Sequence, residues 1–269
     1  MTRGAPRPDD ARVEPSEQTT GYRAEYRDLL TQAYDLDKPA APADELSFLL
    51  TAVGAAEPVL ELMCGSGRFL LPLLAAGVDV DGVDASPSML DACREHAAEQ
   101  CLDVSGRLHE QRAENLRLRR RYRAAFCAAG SWGLVAGDDE VARALAAVRA
   151  HLLQGGTFHF EVETGPEPPG APGGVTWWTR PDGAVITARG GNRIDPATGL
   201  EHGVGIYELF VDGVLVHTEL NRWVRRFWSA DAIAAAVRAA GFAEVVVRSG
   251  YSDEPPGPDD VLLTVHATR

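Results

Sequence analysis

Residues 58–69 read PVLELMCGSGRF: a short apolar strand, a glycine turn at Gly65 to Gly67, and the start of a helix. Seventeen residues past Gly67, a second short strand from Val78 to Val83 ends in Asp84. A glycine turn lets a ligand lie close to the backbone, and the helix start beyond it offers free N–H groups. An acid at the tip of the next strand can accept hydrogen bonds from both hydroxyls of a ribose. The pattern predicts a binding site for a cofactor that contains a nucleoside.

Two classes of cofactor fit such a turn. The dinucleotide fingerprint G-x-G-x-x-G/A is filled at its first two positions by Gly65 and Gly67, but its third position is Leu70. A side chain of that size separates helix and strand where the fingerprint needs close packing, which weakens this interpretation. Glu61 lies four residues before Gly65, and a carboxylate there suits a cationic ligand better than a pyrophosphate. S-adenosylmethionine, with its sulfonium and α-ammonium, is such a ligand.

The segment from Val59 to Arg68 resembles the first motif of class I S-adenosylmethionine-dependent methyltransferases, usually written hh(D/E)hGxGxG. Met63 and Arg68 stand at positions where glycine is common. The segments Leu70 to Gly77 and Gly82 to Leu90 also resemble the small-molecule branch of that family. The resemblance implies methyl transfer to a nitrogen, oxygen or carbon atom of a small molecule such as an amine, a sugar or a secondary metabolite.

The resemblance also implies which residues bind the cofactor. Asp84 would bind the ribose, Glu61 the cationic end, and the carbonyl at Ala128 the ammonium. The loop near Arg112, which stands where the family usually has an Asp, would read the adenine through its backbone and Glu114. An N-terminal helix would add a tyrosine as a lid. The full predicted set is Tyr26, Glu61, Met63, Gly65, Gly67, Asp84, Ala85, Met89, Ala113, Glu114 and Ala128.

Candidates for the acceptor side of the site are aromatic residues and acids. Glu161, at the end of a predicted strand, and Tyr207 are the catalytic candidates, with Glu161 expected to face a cavity and to take a proton or orient an amine. Aromatic area around a pocket suits a flat or amphipathic ligand. The predicted substrate-binding residues are Tyr22, Trp132, Glu163 and Trp177. No N-P-P-Y occurs, which argues against amino methylation of nucleobases or glutamine amides.

Alternating strands and helices over most of the chain predict a Rossmann-like α/β fold, with a mostly parallel sheet and helices on both faces. Asp182-Gly183 and Asp212-Gly213 each lie between β-rich runs and predict hairpins. These hairpins form an antiparallel meander, residues 175–228, inserted before the last helix and strands and covering the substrate site. Residues 1–17 are predicted to be a disordered tail, and 18–269 a single methyltransferase domain.

Element boundaries follow from turn residues and apolar periodicity. A strand is predicted over residues 104–109. A helix beginning near Asp138 is predicted to end at Gly155-Gly156, with the next strand running from Thr157 to Val162.

Composition limits the partners. The chain of 269 residues has a formal net charge of −13, which disfavours nucleic acid and anionic lipid as substrates. Four cysteines without C-x-x-C spacing predict no metal site, and reduced thiols fit a cytoplasmic protein. No signal peptide or spanning apolar run is recognisable. The oligomeric state stays open.

Three alternatives remain at this point. The same cofactor can serve an aminopropyl transfer or a cyclisation instead of methyl transfer. A non-catalytic cofactor-binding subunit is a second alternative, and a dinucleotide oxidoreductase is a third, disfavoured by Leu70.

Overall fold

The computed structural model describes Tyr26 and residues 28–53, 56–165 and 174–269. The predicted disordered tail, residues 1–17, and the substrate candidate Tyr22 lie outside the described residues. Among the described helices, none combines the length and the apolar character needed to cross a bilayer.

The described residues form six α-helices and eleven strands. The helices are α1 (Asp28–Asp37), α2 (Ala43–Val53), α3 (Leu70–Ala75), α4 (Pro87–Glu99), α5 (Asp138–His151) and α6 (Ala230–Ala239). The strands are β1 (Val59–Leu62), β2 (Val80–Asp84), β3 (Leu108–Glu110), β4 (Tyr122–Cys127), β5 (Leu152–Glu163), β6 (Thr176–Thr179), β7 (Val185–Asp195), β8 (Leu200–Val211), β9 (Val214–Arg226), β10 (Glu244–Ser249) and β11 (Leu262–Thr268).

Seven strands form the central sheet, in the order β3-β2-β1-β4-β5-β11-β10. β1 to β5 are parallel to one another, whereas β11 runs antiparallel to both β5 and β10. All four residues of β1 are buried, as expected for a strand covered on both faces. The predicted Rossmann-like, mostly parallel sheet is confirmed.

The two faces of this sheet carry separate apolar cores. One joins α5 and α6 to β4, β5 and β11 through residues such as Leu145, Ile233 and Phe158. The other packs α2, α3 and α4 against β1, β2 and β4, and includes Leu49 and Cys93. Because every parallel strand ends at the same edge, the loops after β1, β2, β4 and β5 meet there.

The inserted meander is a separate four-stranded antiparallel sheet in the order β6-β7-β8-β9. The Asp182-Gly183 and Asp212-Gly213 pairs turn the chain between its strands, as predicted. At the second turn Asp212 and Gly213 have φ values of 51° and 76°, and Val211 pairs with Val214 across it. Two successive left-handed residues match the twist of a two-residue hairpin.

The insertion is attached to α1 and to the carboxyl end of the central sheet. The Leu29 N–H donates to Glu219 Oε2 at 2.9 Å, and Leu29, Ala33 and Ile186 form a small apolar cluster. The Trp228 N–H donates to the Glu163 carbonyl at 2.8 Å, which ties the chain after β9 to the end of β5. The meander therefore stands at the edge where the strand-end loops meet.

Two predicted boundaries are wrong. The strand predicted over 104–109 is shorter and later, as β3. β5 begins at Leu152 directly after α5, so Gly155 and Gly156 lie inside a strand and do not end the helix. A Cβ at Gly156 would lie 2.9 Å from the Leu153 carbonyl oxygen and 3.0 Å from that of Arg123. Close backbone approach, and not helix termination, explains this glycine.

Packing inside the insertion supplies a stability prediction. A Cβ at Gly203 would overlap the Trp223 indole, which lies against that glycine. We expect Gly203→Ala to lower the free energy of unfolding by about 1–3 kcal/mol through overpacking. Gly191, in the same sheet, has nothing within 4 Å of its hypothetical Cβ, so Gly191→Ala is the matched control. Urea unfolding measures both; equal stability of the two variants would contradict this packing.

Candidate active site

The turn after β1 has an unusual backbone. Met63, Gly65 and Gly67 all have left-handed φ values, of 55°, 54° and 89°. A Cβ at Gly67 would lie 2.7 Å from Cys93 Sγ and 2.8 Å from Leu71 Cγ. Gly67 therefore shapes the turn by close packing against α4 and does not itself reach the cavity described below.

Asp84, at the tip of β2, is held by the turn. The Gly65 N–H donates to Asp84 Oδ2 at 2.9 Å, and the Ser86 N–H donates to Oδ1 at 2.8 Å. Burial raises the pKa of Asp84, while the hydrogen bonds from Ser86 and Gly65 oppose that rise. The Ala85 N–H also donates to this carboxylate, which still has acceptor capacity for a ligand.

Glu61, in β1, is a buried acid with an incomplete set of partners. Only 2% of the residue is exposed, and its Oε2 atom has no hydrogen-bond partner among the described residues. Burial, followed by the charge of Asp84, raises the pKa of Glu61 well above its usual range, and Arg68 opposes this. A buried carboxyl in this state is stabilised by a proton or by a cationic ligand.

A cavity of about 450 Å³ lies at the carboxyl edge of the sheet, beside the turn and the tip of β2. Eight of the predicted cofactor-binding residues line it: Tyr26, Met63, Gly65, Asp84, Ala85, Met89, Ala113 and Glu114. Glu61, Gly67 and Ala128 are not in the lining. The Ala128 carbonyl, expected to bind an ammonium, accepts the Ser131 N–H at 3.2 Å.

The loop after β3 forms one wall of this cavity. Arg112, Ala113 and Glu114 all line it, as does Met89 from α4. Arg112 lies near enough to Asp84 that its charge lowers the pKa of that acid. The predicted adenine loop and the predicted ribose acid thus share one cavity.

α1 and Tyr26, two residues before the helix begins, close another side. Tyr26 and Tyr34 both line the cavity, and their rings meet edge to face at 5.8 Å. The Ser66 hydroxyl donates to Asp35 Oδ1 at 2.5 Å, which fastens α1 to the glycine turn. Tyr34 was not among the predicted site residues. The helical spacing of the tyrosines in this segment could have indicated that Tyr34 shares a helix face with Tyr26.

Both predicted catalytic side chains lie away from this cavity. The expectation that Glu161 faces the cavity beneath the insertion is wrong: Glu161 lines a different cavity of about 280 Å³, together with Phe48 of α2 and Val246 of β10. Tyr207 packs against the apolar cluster of α1 and the insertion. The register of β5 explains the first error, because Glu161 lies on the α2 side of the sheet.

The predicted substrate residues that the structure describes are also elsewhere. Trp132 is 0% exposed and packs against both Phe158 and Phe160 in the core, so its assignment to substrate is wrong. Trp177 is 67% exposed on the edge strand β6 and does not line the cavity. Glu163 forms an ion pair with Arg225 of β9, Oε2 to Nη1 at 2.6 Å.

The insertion contributes lining residues that sequence reasoning missed. Leu200 and His202 of β8 and Val224 of β9 line the same cavity as Asp84. Residues two apart on one strand share a face, so Leu200 and His202 point the same way. His202 is the imidazole among the lining residues. The sequence shows that alternate residues of this strand share a face, but it does not show which face lines the cavity.

Comparison with known proteins agrees with this geometry. Residues 59–156, from β1 into β5, match a family model described as a methyltransferase domain. These residues therefore form a methyltransferase domain. The match confirms the resemblance to a methyltransferase family that the glycine turn and Asp84 indicated.

Individual relatives match the chain over part of their length. It is 28% identical over 159 residues to the dTDP-3-amino-3,6-dideoxy-alpha-D-glucopyranose N,N-dimethyltransferase of Streptomyces fradiae, covering 56% of this chain and 60% of the relative. It is 42% identical over 60 residues to a 23S rRNA (uracil(1939)-C(5))-methyltransferase of Shewanella sediminis, covering 22% of this chain and 14% of that one. The matched segments thus span less than two thirds of either relative.

A solved structure matches over nearly the whole chain. The sugar N-methyltransferase KedS8 from Streptoalloteichus superposes with a TM-score of 0.68, covering 93% of this chain and 97% of the other. Sequence identity is 23%, at which the likeness shows the fold.

The state of Glu61 can be tested without a ligand. The pKa of Glu61 is higher in the folded protein than in the unfolded chain, where it is about 4.5. Glu61 therefore lowers the free energy of unfolding as the pH rises above 4.5. We expect Glu61→Gln to stabilise the ligand-free protein by about 1–3 kcal/mol at pH 8 and by much less at pH 5. Thermal unfolding at both pH values measures this, with the exposed Glu95→Gln as control. Destabilisation at both pH values would mean that the carboxylate has a structural partner.

Proposed function

We propose that this methyltransferase transfers a methyl group from S-adenosylmethionine to an amino nitrogen of a small molecule. The observation that carries the proposal is the buried Glu61 oxygen without a partner, in β1 beside Asp84. A pyrophosphate would add a second negative charge to these two acids, whereas a cation would offset them. The third glycine of the dinucleotide fingerprint is also missing, since Leu70 is fully buried at that position.

The residues present fit the cofactor. Asp84 would accept the ribose hydroxyls, and Glu61 would offset the positive charge at the methionine end. Met89 and Ala85 would pack on the adenine, and the loop from Arg112 to Glu114 would read its edge. When bound there, S-adenosylmethionine supplies a methyl group already activated on a sulfonium.

The protein's own part is positioning and exclusion of water. Aligning an acceptor nitrogen with the methyl group supplies much of the rate, because both reactants are held in one cavity. We assign this task to the insertion, residues 175–228, whose His202, Leu200 and Val224 line the same cavity as Gly65 of the glycine turn. An ammonium must lose a proton before its nitrogen can attack, and His202 is the lining residue suited to accept it.

The choice of an amine as acceptor rests on the charge of the site and on similarity to a relative that methylates an amino sugar. The Streptomyces fradiae relative is named as an N,N-dimethyltransferase of an amino sugar. The site is acidic, since Glu61 and Asp84 flank it, and the whole chain has a net charge of −13. A neutral or cationic small molecule is favoured by that field, whereas a polyanion is repelled.

Nucleic acid is the less favoured acceptor. The likeness to the rRNA methyltransferase is confined to 60 residues, and these cover 14% of that protein. A match of that length does not carry the acceptor of the relative over to this chain. We place the reaction in the cytoplasm, because Cys64, Cys93 and Cys127 are buried free thiols.

The cofactor assignment predicts the effect of one substitution. Asp84→Ala removes two charge-assisted hydrogen bonds to the ribose, each worth about 1.5–3 kcal/mol. We expect the affinity for S-adenosylhomocysteine, measured by titration calorimetry, to fall at least about a hundredfold. Glu110, the exposed acid paired with Asp84 across β2 and β3, supplies the control Glu110→Ala. Unchanged affinity in Asp84→Ala would refute the ribose assignment.

The acceptor class predicts a labelling pattern. Methyl-labelled cofactor should transfer its label to members of a panel of nucleotide-linked amino sugars and other small amines. Matched analogues with a hydroxyl in place of the amine, and total RNA, should stay at the blank level. Labelling of RNA, or of the hydroxyl analogues in preference to the amines, would overturn this choice.

A further inference from the structure

The chain turns sharply where β4 ends. Ala129 and Gly130 are consecutive left-handed residues, with φ values of 57° and 64°. A left-handed alanine is strained, so surrounding contacts must hold it there. Ser131, the next residue, lines the cavity that contains Asp84. The position of this turn therefore sets one wall of the cofactor cavity.

Two buried acids accept hydrogen bonds from the backbone of this turn. The Ala129 N–H donates to Glu45 Oε1 at 3.1 Å, and the Gly130 N–H donates to Glu161 Oε2 at 3.1 Å. Glu45 is 5% exposed and Glu161 is 3% exposed. The Tyr251 side chain is hydrogen-bonded to both carboxyl groups. One acid comes from α2 and the other from β5, so the turn joins two distant segments.

The surroundings of Glu161 are poor in compensating charge. Glu45 faces it from α2, Tyr251 from the loop after β10, Cys127 from β4 and Thr264 from β11. Arg248 and Asp253 line the same cavity and carry opposite charges. His159 and His266 line it too, and burial lowers the pKa of both imidazoles, which favours their neutral forms. Burial, followed by the charge of Glu45, raises the pKa of Glu161 to about 7.

The Tyr251 hydroxyl is hydrogen-bonded to both acids, and this arrangement is consistent with one proton shared by the two carboxyl groups. A tyrosine hydroxyl donates one hydrogen bond and can accept another. If Glu161 is protonated, its O–H can donate to Tyr251, whose own O–H can donate to Glu45. If both acids were ionised, two buried like charges would lie close together. One proton on the pair satisfies all three groups.

We propose that Glu45 and Glu161 share one proton and, with Tyr251, act as positioning residues that fix the Ala129–Gly130 turn against the cofactor cavity. The role for the cofactor rests on the proposed function, whereas the shared proton does not. Glu161 is then occupied by a backbone amide and does not act as the general base suggested by its place at a strand end.

The shared proton is tested by the pH dependence of stability. The pKa of Glu161 rises from about 4.5 in the unfolded chain to about 7 in the folded protein. The protonated form of Glu161 therefore contributes its full stability below pH 4.5, and this contribution is lost as the pH rises to about 7. The melting temperature of the wild type should therefore fall between pH 5 and 8. Folding should take up about one proton near pH 6 through this group.

Variants isolate this contribution. Glu161→Gln is a neutral isostere of the protonated acid, so its melting temperature should fall less across the same range. Glu45→Gln removes the neighbouring charge and should shift the wild-type decline toward lower pH. Asp253→Asn, at the mouth of the same cavity, should leave the profile unchanged. Parallel profiles for wild type and Glu161→Gln would overturn the shared proton.

Binding of S-adenosylhomocysteine tests the positioning role. Glu161→Gln should keep the dissociation constant within about twofold, because the amide oxygen still accepts from Gly130. Glu161→Ala should raise the constant by roughly tenfold, the size of one lost hydrogen bond. Equal affinity of wild type and Glu161→Ala would refute positioning.

Two further outcomes separate the proposals. If the wild type fails to bind S-adenosylhomocysteine, the proposed function fails, but the pH profiles still decide the shared proton. If Glu161→Gln binds normally yet loses methyl transfer to an identified acceptor at every pH, Glu161 acts as a base and the positioning role is overturned.

Discussion

The site depends on one carboxylate that binds two backbone amides. Asp84 accepts the N–H of Gly65 on one oxygen and that of Ser86 on the other, which joins the turn after β1 to the tip of β2. The parallel pairing of β1 with β2 brings these residues to the same edge. The left-handed glycines let the chain fold back without a side chain in the way. The cavity, the N-terminal helix and the insertion are all arranged around this junction.

Several buried acids lie near the carboxyl edge of the sheet, and they work against stability. Glu61 and Glu219 each have a side-chain oxygen without a partner among the described residues, and Glu161 lies near Glu45. Evolution toward stability alone would replace such groups with apolar ones. Glu61, beside Asp84, fits a site that is completed by a cationic ligand, whereas Glu45 and Glu161 accept backbone amides of the turn after β4.

Errors in the predicted substrate side have a common physical cause. Trp132 and Glu161 follow or end strands at the expected edge, so their positions along the chain were right. The direction of each side chain depends on which face its neighbours cover. The Trp132 side chain packs in the core against Phe158. Glu161 faces α2, because alternate residues of β5 point to opposite sides of the sheet. Sequence position cannot report which helix covers which face.

By itself, the sequence determined the parallel sheet, the glycine turn, Asp84 and the hairpins of the insertion, because each depends on residues close together in the chain. Local periodicity, turn residues and a strand-tip acid carry that information directly. Only the tertiary structure decided that Tyr34 and His202 line the cavity, while Trp132 and Glu161 do not. These outcomes depend on contacts between α1, α2, the insertion and the central sheet. Such contacts join residues far apart in the chain, and no local pattern specifies them.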